Sequence, residues 1–334
     1  MLKAALIGLG DISKIHLPAI KENPNVELTA VCDVNEDLRT LVPEARFYTD
    51  YQDMLESEAL DVVHICLPHY LHNPVTKTCI ENGVHVFLEK PLGLNTEEAL
   101  EIVNLEEAHQ EVKVCICFQN RYNESFEMLQ KMALSGEYGK IVGIKGIVAW
   151  YRPKSYYDVK PWRGQMEYAG GGVMINQALH TLDLMQLLGG KIESIRGSLD
   201  QLLDYGIEVE DTASARINFE NGVTGLFLAT NANAENSSVE LEMIFEKGKF
   251  TIKDSILTRI TENGEKEELA EDAKLPGSKF YYGASHVKLI HQFYQCIEQG
   301  TENYVHAKDA FPAIQIIDAI RKSSDSKQAI QLEG

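Results

Sequence analysis

Positive charge is scarce in this chain. Lys and Arg number 31 against 50 Asp and Glu, a net charge of −19. Such a balance disfavours non-specific binding to nucleic acid or to an anionic membrane. Long hydrophobic runs are also missing, since no stretch approaches the roughly eighteen apolar residues of a helical membrane span. The first residues, Met1-Leu2-Lys3-Ala4-Ala5-Leu6-Ile7, enter a strand-like segment without the apolar core and cleavage site of a signal peptide. A cytoplasmic location is therefore expected. The six cysteines (32, 66, 79, 115, 117 and 296) contain no Cys-x-x-Cys pair. Most fall in apolar runs where reduced Cys acts as a small hydrophobe, so neither a disulfide framework nor a structural zinc is expected. Repeats, low-complexity tracts and long linkers are absent as well.

What is present is an ordinary globular composition, 44% hydrophobic and 24% charged over 334 residues. That length suits two domains better than one core. Up to about residue 120, short apolar runs at 4–7, 28–32, 62–67, 85–88 and 112–118 read as strands. Helix-type spacing fills 12–23, 51–57, 73–82 and 96–110 between them. Asn95-Thr96-Glu97-Glu98 is a capped, acidic first turn, and Glu81-Asn82-Gly83 a helix stop. Continuous apolar strands alternating with helices imply a doubly wound parallel sheet covered on both faces.

Beyond Arg121 the pattern changes. One helix (124–134) precedes alternating segments at 141–150, 194–202, 213–219, 223–229, 239–245 and 249–254. Asn221-Gly222 and Lys247-Gly248 look like hairpin turns. The second half thus reads as an α+β domain with an open, mainly antiparallel sheet, closed by helices at 286–298 and 307–323. The expected division is 1–121 for dinucleotide binding and 122–334 for substrate binding and oligomerisation.

Gly8-Leu9-Gly10-Asp11-Ile12-Ser13 lies between the first strand and the first helix. Gly8 permits a tight turn, and Gly10 lets backbone N–H groups approach phosphates at a helix N-terminus. Ser13, in the third glycine's place, is small enough for close helix–strand packing. By itself the motif is weak. Asp33 strengthens it, standing at the end of the second strand 23 residues after Gly10, where an acid accepts hydrogen bonds from ribose hydroxyls. It would repel a 2′-phosphate, and Val34, Asn35, Glu36 and Asp37 supply no cation. NAD is favoured over NADP. The same position also suits a simple loop cap.

Two further segments follow strand ends, where open α/β sheets bind ligands. They are Leu67-Pro68-His69-Tyr70-Leu71-His72 and Glu89-Lys90-Pro91. Lys90 emerges from an apolar run, a setting that lowers a lysine pKa and suits proton transfer; an ion pair with Glu89 is the plainer alternative.

Taken with Gly170-Gly171-Gly172, His180 and Asp183, these motifs resemble the Gfo/Idh/MocA oxidoreductases over nearly the whole chain. The resemblance implies a Rossmann domain, then an open-sheet domain through which dimers or tetramers assemble. It implies that Lys90 is the lysine near the nicotinamide, that His180 is an acid/base, and that Lys90–Pro91 is a candidate cis bond. Gly8, Gly10, Asp11, Ile12, Ser13, Asp33, Leu67, Pro68, His72, Glu89 and Lys90 are the expected cofactor contacts. Many members carry Asp where this chain has Asn176, so a carboxylate relay is excluded there and Asn176 is expected to orient substrate.

The helical segment 172–188 is apolar almost all round, yet Asn176, His180 and Asp183 share one stripe at i, i+4 and i+7. Buried polar groups need partners, which either a ligand cleft or a structural network provides. Between Trp150 and Arg163 lie four basic residues, one acid, both tryptophans and three tyrosines. Tyr151, Arg152, Trp162 and Arg163 would suit a sugar, nucleotide or phosphate, with Arg121 as a further substrate contact. Such a segment also suits a subunit interface. The expected function is hydride transfer between NAD(P) and a secondary alcohol or ketone of a sugar, polyol or sugar nucleotide, with Lys90 and His180 catalytic and no metal. Reduction of a non-sugar carbonyl and a non-catalytic NAD(P)-sensing regulator are the alternatives.

Overall fold

Short apolar strands, most of them buried on both faces, assemble first. They are β1 (Leu2–Ile7), β2 (Val26–Cys32), β3 (Arg46–Tyr48), β4 (Val62–Ile65), β5 (His85–Leu88) and β6 (Val114–Ile116). The computed structural model describes residues 1–261, 263–274 and 284–332. The six strands run parallel in the order β3-β2-β1-β4-β5-β6. In this doubly wound order the direction of progression reverses between β1 and β4, leaving a crevice at the carboxyl ends of those strands. Helices α1 (Ser13–Glu22), α2 (Tyr51–Ser57), α3 (His72–Glu81) and α4 (Thr96–Ala108) make the crossovers. Asn95 caps α4 as its sequence indicates, its Oδ1 accepting the Glu98 N–H at 3.0 Å. Strand β3 has no counterpart in the sequence reading, because three partly exposed residues carry no readable period.

Among the described residues the second sheet has nine strands. These are β7 (Ile141–Ala149), β8 (Ile192–Asp200), β9 (Thr212–Phe219), β10 (Thr224–Thr230), β11 (Glu240–Phe245), β12 (Gly248–Lys253), β13 (Ile256–Ile260), β14 (Lys266–Glu271) and β15 (Ile330–Gln331). Their order is β14-β13-β12-β11-β7-β10-β9-β8-β15, antiparallel except for the β7–β10 pair. Strict alternation of buried and outward residues along β9 and β10 marks one packed face. Gly222 closes the β9–β10 hairpin at φ +87°, a left-handed conformation that glycine adopts without penalty. β13, β14 and β15 escape sequence reading, since charged or very short segments hide the alternation.

The single boundary expected after 121 is corrected. One compact unit comprises Met1–Gln119 with Ser285–Phe311, and the other Asn120–Ala284 with Pro312–Gly334. The expected second domain also takes in 262, 275–283 and 333–334, which lie outside the described residues. The physical reason is the helix Ser285–Gln299, whose buried stripe of Leu289, Ile290, Phe293 and Tyr294 packs in the first unit. Phe293 meets Phe87 of β5 edge-on at 5.8 Å, and the Ile116 N–H donates to the Val305 carbonyl at 2.9 Å. A late amphipathic helix announces its apolar face in sequence, but not the surface that face will cover. Among the described residues, no helix is long and apolar enough to cross a membrane.

Candidate active site

In the first unit, four strand ends present the expected cofactor segments along one edge of the sheet. The turn after β1 leaves little room. Gly8 sits at φ +95°, and a Cβ there would lie 2.6 Å from the Cys66 carbonyl oxygen. Gly10 is different, for a Cβ would meet no protein atom within 4 Å. The space beside Gly10 is thus open at the N-terminus of α1, where no side chain caps the helix. Uncapped N–H groups and open space together fit a pyrophosphate. Ser13 is buried and its hydroxyl donates to the Gly10 carbonyl at 2.7 Å, which fixes the turn. Asp11 is exposed and pairs loosely with Lys14 at 3.7 Å, and Ile12 is the residue preceding the helix.

Asp33, just past β2, accepts the Leu9 N–H at 2.7 Å and the Asn35 N–H at 2.9 Å. Its carboxylate is thereby held against the glycine turn and stays half-buried. That placement fits a dinucleotide whose ribose hydroxyls would donate to Asp33.

The other two strand ends are tied to each other. One His72 ring nitrogen faces the Pro91 carbonyl at 2.8 Å and the other faces the Leu67 carbonyl at 2.9 Å. Burial draws the pKa of His72 below the usual histidine value, although both carbonyls pull it upward. His72 is one of the expected cofactor contacts. It is buried, and it clamps the Leu67-Pro68 turn to Pro91. The Lys90–Pro91 bond is cis, as the resemblance implies. Lys90 is half-buried, whereas Glu89 is buried and its carboxylate lies 2.9 Å from His16 Nε2 of α1. The carboxylate of Glu89, an expected cofactor contact, thus takes part in an internal network. Donor atoms of His16, Glu89 and Cys117 lie within 4.8 Å of one another, a grouping invisible in sequence. His16 Nε2 faces the Glu89 carboxylate, and the Cys117 thiol donates to the Gln119 side-chain oxygen at 3.6 Å.

In the second unit, the segment expected as one helix from 172 to 188 divides. Met174–Ala178 forms a π-turn and Leu179–Gly189 continues as α-helix. Such wide turns shift the register of the side chains and are frequent at functional sites. The polar stripe divides with it. Asn176 and His180 are half-buried, whereas Asp183 is sealed in. Arg121 donates to both Asp183 oxygens, at 2.8 and 2.5 Å. That bidentate pair ties Arg121, an expected substrate contact, to the helix.

The triple glycine also acquires a reason. A Cβ on Gly172 would stand 1.8 Å from the Glu210 carbonyl oxygen. The Glu210 carboxylate accepts the N–H groups of Gly172 at 2.9 Å and Met174 at 3.2 Å, capping the helix from inside. Burial pushes the Glu210 carboxyl up, against the pull of those N–H donors. Sequence reading misses Glu210, since nothing in Val209-Glu210-Asp211 signals a distant cap. It also misses Gln177, which donates to the Tyr156 hydroxyl at 3.1 Å and accepts from Asn231 at 3.0 Å.

Through Gln177 the π-turn is joined to the aromatic segment. The Arg163 guanidinium lies 4.1 Å from the Tyr156 ring centre, and that of Arg152 lies 5.4 Å from the same ring. Arg152 also stacks on Trp150 at 4.7 Å, and Arg163 lies 5.7 Å from Trp162. Tyr151 is exposed, and its carbonyl accepts from Arg152 at 2.9 Å. Two cations share one aromatic ring within a single unit, next to the helix that carries Asn176 and His180.

Comparison with known proteins places these features. Residues 2–118 match the model of an oxidoreductase family with an NAD-binding Rossmann fold, and residues 126–251 match the GFO/IDH/MocA C-terminal domain. Myo-inositol 2-dehydrogenase of Thermotoga maritima is 22% identical over 99% of both chains. The WlbA dehydrogenase of Bordetella pertussis, solved with NADH and UDP-GlcNAcA, is 26% identical, with a TM-score of 0.86 over 100% of this chain and 99% of that one. A levoglucosan dehydrogenase, solved with NADH and levoglucosan, shares the fold at 21% identity, with a TM-score of 0.88 over the full length of both. The chain belongs to the Gfo/Idh/MocA family of NAD-dependent oxidoreductases.

Proposed function

We propose that the protein interconverts a secondary alcohol and a ketone on a sugar, polyol or sugar nucleotide, and that its substrate carries an anionic group. The paired Arg152 and Arg163 over Tyr156 carry this reading. Two guanidiniums in a chain of net charge −19 suit a phosphate or carboxylate. The likeness to a dehydrogenase solved with UDP-GlcNAcA supports it. NAD supplies the hydride acceptor when bound along Gly8–Ser13. Leu67 and Pro68 would line its nicotinamide half. In oxidation His180, or Lys90, takes the hydroxyl proton as hydride leaves the same carbon, and returns it in reduction. Lys90 stabilises negative charge developing on that oxygen. Asn176 orients the substrate through its amide, and Tyr151 and Trp162 supply faces for sugar or base.

The test is a panel of polyols, neutral sugars, uronates and sugar nucleotides, followed by NADH absorbance. Turnover restricted to neutral polyols would overturn the anionic assignment, and Arg163→Ala should raise KM for the true substrate by about tenfold or more.

Cofactor choice rests on Asp33. Asp33→Ser should cut the preference for NAD over NADP by about 10–100-fold, read as the ratio of kcat/KM for the two. An unchanged ratio would remove Asp33 from the ribose.

The second unit is proposed to mediate self-association. Leu226 and Leu228 are 55% and 40% exposed on the outward face of β10, near the middle of the nine-stranded sheet, and Leu228 is paired with Ile147 of β7. Contiguous apolar residues at such a place are suited to a second copy of the chain. Leu226→Arg should convert a dimer or tetramer to smaller species in light scattering, and a wild-type monomer would refute the proposal.

A further inference from the structure

One buried amide joins two parts of the second unit that the proposed reaction uses separately. Gln177 lies in the π-turn directly after Asn176 and is 9% exposed. Both ends of its side chain are engaged. Nε2 donates to the Tyr156 hydroxyl at 3.1 Å, and Oε1 accepts from Asn231 Nδ2 at 3.0 Å. Asn231, just past β10, is 1% exposed, and its Nδ2 also reaches the Tyr157 hydroxyl at 3.3 Å. Its backbone is fixed as well. The N–H donates to the Asp211 carbonyl at 2.7 Å, and the carbonyl accepts the Arg152 N–H at 3.0 Å. A strand end thus anchors the amide, and the amide anchors the tip of the Tyr156 ring.

That ring carries both cations of the aromatic segment, Arg163 at 4.1 Å and Arg152 at 5.4 Å from its centre. Tyr157 meets it edge-on at 5.0 Å. The hydrogen bonds of the guanidiniums go to neutral oxygens. Arg152 donates to the Tyr151 carbonyl and the Asn236 side chain, both at 2.9 Å, and Arg163 to the Tyr156 carbonyl at 3.4 Å. Among the described residues neither cation is paired with a carboxylate. An aromatic ring therefore governs where the two charges sit. A ring face attracts a cation without a directional bond, so the cations keep one geometry only while the ring keeps its own. The hydroxyl is the point of a tyrosine farthest from its backbone, and a hydrogen bond there restrains the swing of the ring most.

We infer that Gln177 is a positioning residue that determines specificity: it holds the Tyr156 ring, and through that ring the Arg152 and Arg163 guanidiniums, in a fixed relation to the π-turn carrying Asn176. Recognition of an anionic group and orientation of the reacting carbon are then built on the same turn of chain. A substrate gripped by the cations profits from the amide, and a neutral analogue does not.

The inference rests on the anionic-substrate reading above, and its test separates the two. Full-length protein with NAD is treated with phenylglyoxal, and the labelling rate at each arginine is read by peptide mass spectrometry. A guanidinium stacked on a held ring is shielded on one face. Gln177→Leu and Tyr156→Phe should each raise the rates at Arg152 and Arg163 by about three- to tenfold, the loss of one hydrogen bond. Arg196 and Arg216, exposed on β8 and β9, should label as in wild type. With a substrate that requires Arg163, each variant should raise KM by about fivefold and change kcat by less, and the double variant should raise KM no further. Unchanged labelling in variants that unfold at the wild-type temperature would overturn the inference. An unchanged KM would do the same, as would equal losses for anionic and neutral substrates, since a merely structural amide serves both alike. If Gln177→Leu does not fold, Tyr156→Phe, which keeps the ring and loses only the hydroxyl, decides alone. If Arg163→Ala leaves every KM unchanged, the anionic reading fails, and the labelling rates still decide whether Gln177 holds the ring.

Discussion

Lys90→Met is expected to lower kcat by roughly 10²–10⁴-fold while NADH binding, followed by fluorescence, is retained. Methionine preserves most of the side-chain volume and the apolar stem but offers neither a proton nor a positive charge. The lysine is half-buried and leaves the end of β5 beside a cis peptide bond, at the sheet edge that carries the glycine turn. His180→Ala should cost a comparable factor. If the two groups act on one proton, the double variant should lose far less than the product of the single losses, because the second deletion removes help already gone. Wild-type turnover in either single variant would exclude that residue from the chemistry. A loss confined to KM would make it a binding group instead.

Gly172→Ala is expected to destabilise the second unit by about 3–5 kcal/mol, among the largest effects of a single methyl group. The added carbon would sit 1.8 Å from the Glu210 carbonyl oxygen, and the three nearest atoms all belong to the Glu210 backbone. Relief requires moving the start of the π-turn, which breaks the N–H bonds to the Glu210 carboxylate. Thermal unfolding should show a midpoint lowered by about 10 °C. Gly10→Ala is the matched control. Its Cβ meets no protein atom within 4 Å, so stability should hold while NAD affinity falls by about tenfold or more. Equal stability of the two variants would mean that the Glu210 contact relaxes easily. Equal NAD affinity of Gly10→Ala and wild type would remove the pyrophosphate from the glycine turn.

Period and punctuation made much of the fold legible. The alternation of apolar runs with helical spacing led to the doubly wound sheet, and the longer alternating segments led to the open second sheet. Gly8, Gly10 and Asp33 could be read because a strand, a turn and a strand end lie close together in sequence, where local geometry fixes their relation. The Gly222 hairpin was legible for the same reason. The short or charged strands β3, β13, β14 and β15 were not, since pairing with a neighbour, rather than a pattern of their own, makes them strands.

The site residues divide along the same line. The sequence by itself determined which side chains could do chemistry: Lys90 after an apolar strand, and Asn176 and His180 on an apolar helix. Only the tertiary structure decided which of the polar residues are already engaged. Glu89 faces His16, His72 clamps two turns and Arg121 grips Asp183, engagements that their sequence neighbourhoods do not announce. Gln177 and Glu210 carried no local signal at all. Their partners lie 21 and 54 residues away for Gln177 and 36–38 for Glu210, distances over which no backbone periodicity carries information. Burial removed water as a partner for these groups, and the nearest protein donor or acceptor took its place.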